Sequence, residues 1–275
     1  DLLDEAALNE KISEAVSYKN KEIKGVYGER GIGLEEVLDW LKEYGRRIKP
    51  YICDAGAYLD DAVKSGKRIM FEAQLGALRD IDFGIYPYTS SSSTIAAYAP
   101  IGAGIPQYKL DKTIGIMKAY SSCVGEGPFA CELFGNEAHE LREAGGEYGA
   151  ATGRPRRVGG FDAVASRYGV QVQGAGEIAL TKLDVLSYMP KIPVCVAYDI
   201  DGVETTSFPA GERLNRAKPV YEYLEGWKCD ISQCRKLSEL PKAAYDYIGF
   251  IKKAADCRIK YVSVGAERQS YIRLQ

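Results

Sequence analysis

Residues 149–157, Gly-Ala-Ala-Thr-Gly-Arg-Pro-Arg-Arg, gather small side chains, one hydroxyl and three guanidiniums in nine positions. Glycines let backbone N–H groups approach an anion, and arginines add forks shaped for phosphate or carboxylate. Pro155 interrupts any helix, so the run is a loop. It reads as an anion site for a doubly charged ligand: a nucleotide, an amino acid, or both. A cluster of surface salt bridges is the other reading.

Downstream, Thr181-Lys182-Leu183-Asp184 ends an apolar run. A carboxylate held at a strand end can accept from both N1–H and the exocyclic amine of guanine, a donor pair that adenine lacks. The lysine stem can lie on the base, and backbone N–H groups of Ser263-Val264-Gly265 can take the carbonyl oxygen. Alternatively, Asp184 simply caps the start of a helix.

Other segments carry weaker signals. Ser90 to Ser93, flanked by Thr89 and Thr94, form either a flexible loop or a row of hydroxyls for a phosphate. The single histidine, His139, lies among charges on a helical stretch and reads as a surface residue. No Gly-x-x-x-x-Gly-Lys-Ser/Thr loop is present to cradle a triphosphate.

These groups must be positioned by a chain of 275 residues, 46% hydrophobic and 27% charged, long enough to bury a sizeable core. A net charge of −2 argues against a nucleic-acid groove or a polybasic membrane surface. The seven cysteines are an odd number without Cys-x-x-Cys pairs, which suggests reduced thiols in a cytoplasmic protein. No apolar stretch approaches the roughly 20 residues that span a bilayer. The chain opens at Asp1 directly in a helical pattern, as the back part of a longer protein would.

Apolar spacing predicts amphipathic helices over 4–24 and 34–44, and a third over 54–64 that feeds a buried strand at 68–71. Strand-length runs follow at 113–119, 177–181, 193–200 and 258–264, with helices at 132–144 and 161–168 between them. Strands alternating with helices indicate an α/β fold. Asp199-Ile200-Asp201-Gly202 adds a hairpin, so the sheet is expected to be mixed but mostly parallel, with flanking helices. No linker divides 1–275, which reads as one domain. In such sheets ligands bind beyond the carboxyl ends of strands. Residues 72–76, 121–129, 182–184 and 263–265 would each leave such an end, and four ends on one edge would make a single site.

Taken in order, the motifs resemble the adenylosuccinate synthetase family over essentially the whole chain. They include Asp80-Ile81-Asp82-Phe83-Gly84, Tyr86-Pro87-Tyr88, Lys118-Ala119-Tyr120, Val124-Gly125-Glu126-Gly127-Pro128-Phe129, the 149–157 loop, Leu180-Thr181-Lys182-Leu183-Asp184 and Ser263-Val264-Gly265. The resemblance implies the family's fold, related to that of the P-loop GTPases. It implies ligation of inosine monophosphate (IMP) to L-aspartate with cleavage of GTP, in purine biosynthesis. It also implies Mg2+ and a homodimer, and no nucleic-acid or membrane partner.

By resemblance, Ala150, Ala151, Thr152, Gly153, Arg154, Pro155 and Arg156 hold aspartate. Gln74, Leu75, Thr89, Ser90, Val124 and Arg154 meet IMP; either Gln74 reaches the phosphorylated intermediate through a local backbone change and steadies it, or Leu75 occupies the glutamine's place. Arg156, Lys182, Leu183, Asp184, Ser263, Val264 and Gly265 bind GTP. Departures from the family pattern are the glutamine shifted by one in Glu72-Ala73-Gln74-Leu75-Gly76, Ser90 for a threonine, Cys123 for an arginine and Ala151 for a threonine. The phosphate loop with its aspartate base, the histidine acid and the magnesium ligands belong to the family's amino-terminal part and have no counterpart in this sequence. The chain alone is therefore expected to be nearly inactive; a guanine-nucleotide-binding module or subunit without catalysis is the alternative.

Overall fold

Asp4 accepts from the Ala7 amide and Asp54 from the Ala57 amide, each at 3.0 Å. Each carboxylate satisfies a donor that the first helical turn leaves orphaned, and so starts a helix. In the computed structural model, which describes residues 1–274, the helices are α1 (Glu5–Gly25), α2 (Leu34–Ile48) and α3 (Ala55–Lys64). All three match the periodicity of the sequence, α2 running one turn further. They lie in one unit, Asp1–Ile69, and the remainder, Met70–Gln275, forms another.

The strand expected at 68–71 does not form. Residues 67–74 are neither helix nor strand, and Met70 is 89% exposed. A short apolar run becomes a strand only where a neighbour takes its N–H and C=O groups.

In the second unit the helices are α4 (Ala99–Gly102), α5 (Gly135–Gly145), α6 (Ala163–Gln173), α7 (Glu212–Asn215) and α8 (Lys242–Ala254). The strands are β1 (Ile114–Lys118), β2 (Ser121–Cys123), β3 (Arg157–Gly159), β4 (Phe161–Asp162), β5 (Glu177–Thr181), β6 (Lys191–Ile200), β7 (Val203–Thr205), β8 (Lys218–Glu225), β9 (Arg258–Ser263) and β10 (Tyr271–Arg273). β1, β5 and β9 lie side by side in parallel, and β10 adds to β9 antiparallel. A second sheet sets β4 parallel to β6, with β7 and β8 antiparallel to it. β2 and β3 form a separate ladder. The fold is thus mixed α/β as expected, with parallel pairing concentrated in the first sheet. The expected hairpin is the β6–β7 turn, where Gly202 has φ +83°.

Along β5, Ile178 and Leu180 are fully buried and alternate with half-buried neighbours. They share one core with Ile259 and Val262 of β9 and with Tyr247 and Ile251 of α8. Burying each such side chain contributes about 1.5–3 kcal/mol. Asp162 caps α6 through the Ala165 amide at 2.9 Å, and Gly174 ends it in the left-handed region. Tyr247 Oη donates to the Ala119 carbonyl at 2.6 Å, which ties α8 to the end of β1. Among the described residues, no helix is long and apolar enough to cross a membrane.

Candidate functional site

The carboxyl ends of β1, β5 and β9 meet at one edge because the three strands are parallel neighbours in register. Lys118 pairs with Thr181, and Leu180 with Val262. Beyond them, the Ala119 amide donates to Thr181 O at 2.8 Å and the Leu183 amide to Ser263 O at 3.4 Å. Residues 182–184 and 263–265 therefore lie together. Lys182, at φ +59°, turns the chain out of β5, and Asp184 opens a helical turn over Asp184–Tyr188.

Burial pushes the Asp184 carboxyl above its ordinary range; its own amide and Lys182 offset this in part, and Asp230 reinforces it. Its carboxylate takes no side-chain hydrogen bond among the described residues. Of the amides in 263–265, that of Val264 bonds Ser270 O at 2.9 Å. Leu183 is fully buried, whereas Ser263 and Gly265 are half-buried.

The centre of the site is Glu147, a residue the sequence reading did not single out. Fully buried, it accepts from Lys118 Nζ at 2.7 Å and Tyr120 Oη at 2.6 Å on one oxygen, and from Arg156 Nη1 at 2.9 Å on the other. Lys182 Nζ lies 3.4 Å away and also donates to the Gly145 carbonyl. Burial opposes the charge, but the bonds from Lys118 and Tyr120 and the charges of Lys118 and Lys182 outweigh it, holding the Glu147 carboxyl at about 2. Lys118 moves down as well, first because it is buried; Glu147 opposes the fall, while the Lys182 and Arg156 charges deepen it. Three cations share one carboxylate, and two positive charges are left over.

Local sequence explains how the group forms. Gly146 ends α5 in the left-handed region, turning Glu147 inward. At Gly145 a Cβ would lie 2.4 Å from Tyr120 Oη, so only glycine lets that phenol reach Glu147. A legible signal existed: a lone carboxylate just after a Gly-Gly helix end and just before the arginine loop.

The loop is closed by Gly149 N to Arg154 O and Gly153 N to Gly149 O, both 2.8 Å. A Cβ at Gly149 would meet Thr152 Oγ1 at 2.9 Å. Residues 150–155 are exposed, Arg154 among them. Its three guanidiniums separate. Arg156 joins Glu147 and keeps a buried Nε without a partner among the described residues. Arg157 instead pairs with Glu132 and donates to Gly127 O at 2.8 Å. The third arginine thus holds structure and does not face the anion loop, because β3 points it toward the 125–127 turn.

The hydroxyl row also divides. Ser93 Oγ and the Thr94 amide bond the buried Asp80 carboxylate at 3.1 and 2.6 Å, so they are structural. Burial alone would raise the Asp80 carboxyl, yet backbone donors at Phe83, Thr94 and Asp82 hold it below its ordinary range. Thr89 and Ser90 are half-buried, and Ser90 Oγ donates to Ser92 O at 3.0 Å. Val124 is exposed just past β2. Gln74 and Leu75 are exposed and follow no strand end, unlike the expectation. Leu75 has φ +74°, a strained conformation for a branched side chain, and Gly76 has φ +90°. Gly76 O accepts from Thr94 Oγ1 at 3.0 Å, which is how this segment reaches the serine loop. His139 is exposed on α5, as expected.

Residues 1–272 match the family model described as adenylosuccinate synthetase. A relative of that name from Synechococcus sp. (strain CC9311) is 44% identical over 273 residues, covering 99% of this chain and 62% of the relative. One from Bifidobacterium adolescentis is 40% identical over 275 residues, covering 100% of this chain and 64% of the relative. A solved structure of fully ligated adenylosuccinate synthetase from Plasmodium falciparum superposes with a TM-score of 0.92 at 33% identity, covering 100% of this chain and 65% of that one. The chain therefore spans a little under two thirds of the proteins it matches.

Proposed function

From the premise that the chain belongs to the adenylosuccinate synthetase family, we propose that it is the carboxy-terminal part of a larger synthetase domain. That domain joins IMP to L-aspartate, with GTP as co-substrate, and acts as a homodimer. The GTP γ-phosphoryl passes to the inosine 6-oxygen. The aspartate amine then forms a bond to C6 as the C–O bond breaks, releasing phosphate and giving adenylosuccinate and GDP.

The observation that carries this reading is the Glu147 group, where the arginine loop meets the end of β5 with two cations in excess. An amino-acid carboxylate and a nucleotide phosphate both need such a field in a partly dry site. Arg154, exposed on the loop, faces aspartate and IMP, and Arg156, held on Glu147, serves GTP. Asp184 reads guanine, with Lys182 and the 263–265 turn beside it. Thr89, Ser90 and Val124 receive IMP, and Gln74 and Leu75 approach its ring.

The family uses GTP and Mg2+. Among the described residues no group of three His, Cys, Asp or Glu side chains is placed to hold a cation. By family resemblance, the Mg2+ ligands and the groups that move protons belong to the family's amino-terminal part. The test is adenylosuccinate formation from IMP, aspartate, Mg2+ and GTP by the full-length gene product. Product formation supports the reading, and GTP binding without product would favour a guanine-nucleotide-binding module.

A further inference from the structure

We infer that Arg79 is the positioning residue of the IMP phosphate pocket, an inference that rests on the residue assignments proposed above. Its guanidinium reaches two separate chain segments. Nη1 donates to Tyr88 O at 2.5 Å and Glu126 O at 3.2 Å; Nη2 donates to Val124 O at 2.9 Å and Glu126 O at 3.2 Å, and lies against Cys123 Sγ. The Arg79 carbonyl also accepts from the Ser90 amide at 2.7 Å. One residue thus fixes both ends of 88–90 and joins them to the turn after β2.

Two features give this clamp a role beyond holding loops. First, the segments it joins carry Ser90 on one side and Val124 on the other, so the width between them is set by the guanidinium. Tyr88 and the turn are already in close approach, since a Cβ at Gly127 would meet the Tyr88 ring at 2.7 Å. Second, every acceptor is a carbonyl or a thiol, and none is a carboxylate. The positive charge therefore stays uncancelled by its partners, between the Tyr88 carbonyl two residues before Ser90 and the Val124 carbonyl. A planar fork with several fixed donors suits this position; a lysine ammonium cannot span the same carbonyls.

The proximity of Cys123 supplies a test by relocation, because an arginine rooted there starts beside the place the Arg79 fork now fills. In the full-length protein, equilibrium binding of IMP and of GTP is measured for the unaltered chain, Arg79→Leu, Arg79→Lys and Arg79→Leu/Cys123→Arg. The expected result is a loss of roughly tenfold in IMP affinity for Arg79→Leu, the scale of one or two charge-assisted hydrogen bonds. GTP affinity stays within about twofold, and the double variant regains most of the IMP affinity. Arg79→Lys folds with its charge kept and still binds IMP weakly. Equal losses for IMP and GTP, or no recovery in the double variant, would overturn the inference, as would unchanged IMP binding in Arg79→Lys should Arg79→Leu fail to fold. Binding is read without turnover, so failure of the ligase reading shows separately as absent product.

Discussion

The end of the parallel sheet and the segment 70–94 contribute to the same proposed site but are held in different ways. At the sheet end, strands β1, β5 and β9 fix the backbone, and a buried carboxylate gathers Lys118, Arg156 and Lys182 by charge. In 70–94 no strand forms. There Asp80 and Arg79 replace the missing ladder, the first by taking donors from four neighbouring residues and the second by giving donors to carbonyls. A sheet edge can carry an excess of charge because its backbone is already satisfied. An irregular segment must spend its charged side chains on main-chain groups, its own and those of the 124–126 turn.

The largest effect should come from removing the centre of the first region. Glu147→Ala leaves three cations around a buried void, and loss of one partner of a buried ionic group destabilises by about 3–5 kcal/mol. Denaturant unfolding measures it, and a cost below about 1 kcal/mol would show that the cations do not depend on Glu147.

Acid should sharpen the same contrast. The Glu147 carboxyl is depressed from its ordinary 4.5 to about 2, so its contribution is complete above 4.5 and disappears as pH falls toward 2. The difference corresponds to about 3 kcal/mol at most. Asp80, also depressed, adds in the same direction. Stability followed from neutral pH downward should fall over this window in the natural protein and fall less in Glu147→Gln.

Next in size is Asp80→Ala, which strands the amides of Asp82, Phe83 and Thr94. About 2–3 kcal/mol is expected. Hydrogen exchange should rise over 76–94 and stay unchanged at the end of β5. Equal loosening of both would erase the distinction between the two regions.

Much of the fold was legible from local chemistry. Apolar spacing placed the helices over 4–24, 34–44 and 54–64, and the apolar runs at 177–181 and 258–264 became adjacent buried strands. Residues 68–71 misled because an apolar run does not reveal whether a partner strand exists. The arginine loop was read as one charge cluster, yet Arg157 alternates away from Arg156 along β3 toward Glu132, a partner 25 residues distant. Glu147 was missed for the same reason, since Lys118 and Tyr120 lie far away in sequence. Short-range spacing shows which residues could bind an anion; pairing across the fold decides which of them are free to do so.

The most direct measurement is the binding of GTP and ATP to the full-length protein and to Asp184→Asn. If Asp184 reads guanine at the end of β5, the unaltered protein prefers GTP. The substitution, which turns a double acceptor into a mixed donor and acceptor, should cut that preference by about tenfold or more while ATP binding changes little. An equal loss for both nucleotides, or an unchanged preference, would contradict the placement of the guanine site at this sheet edge.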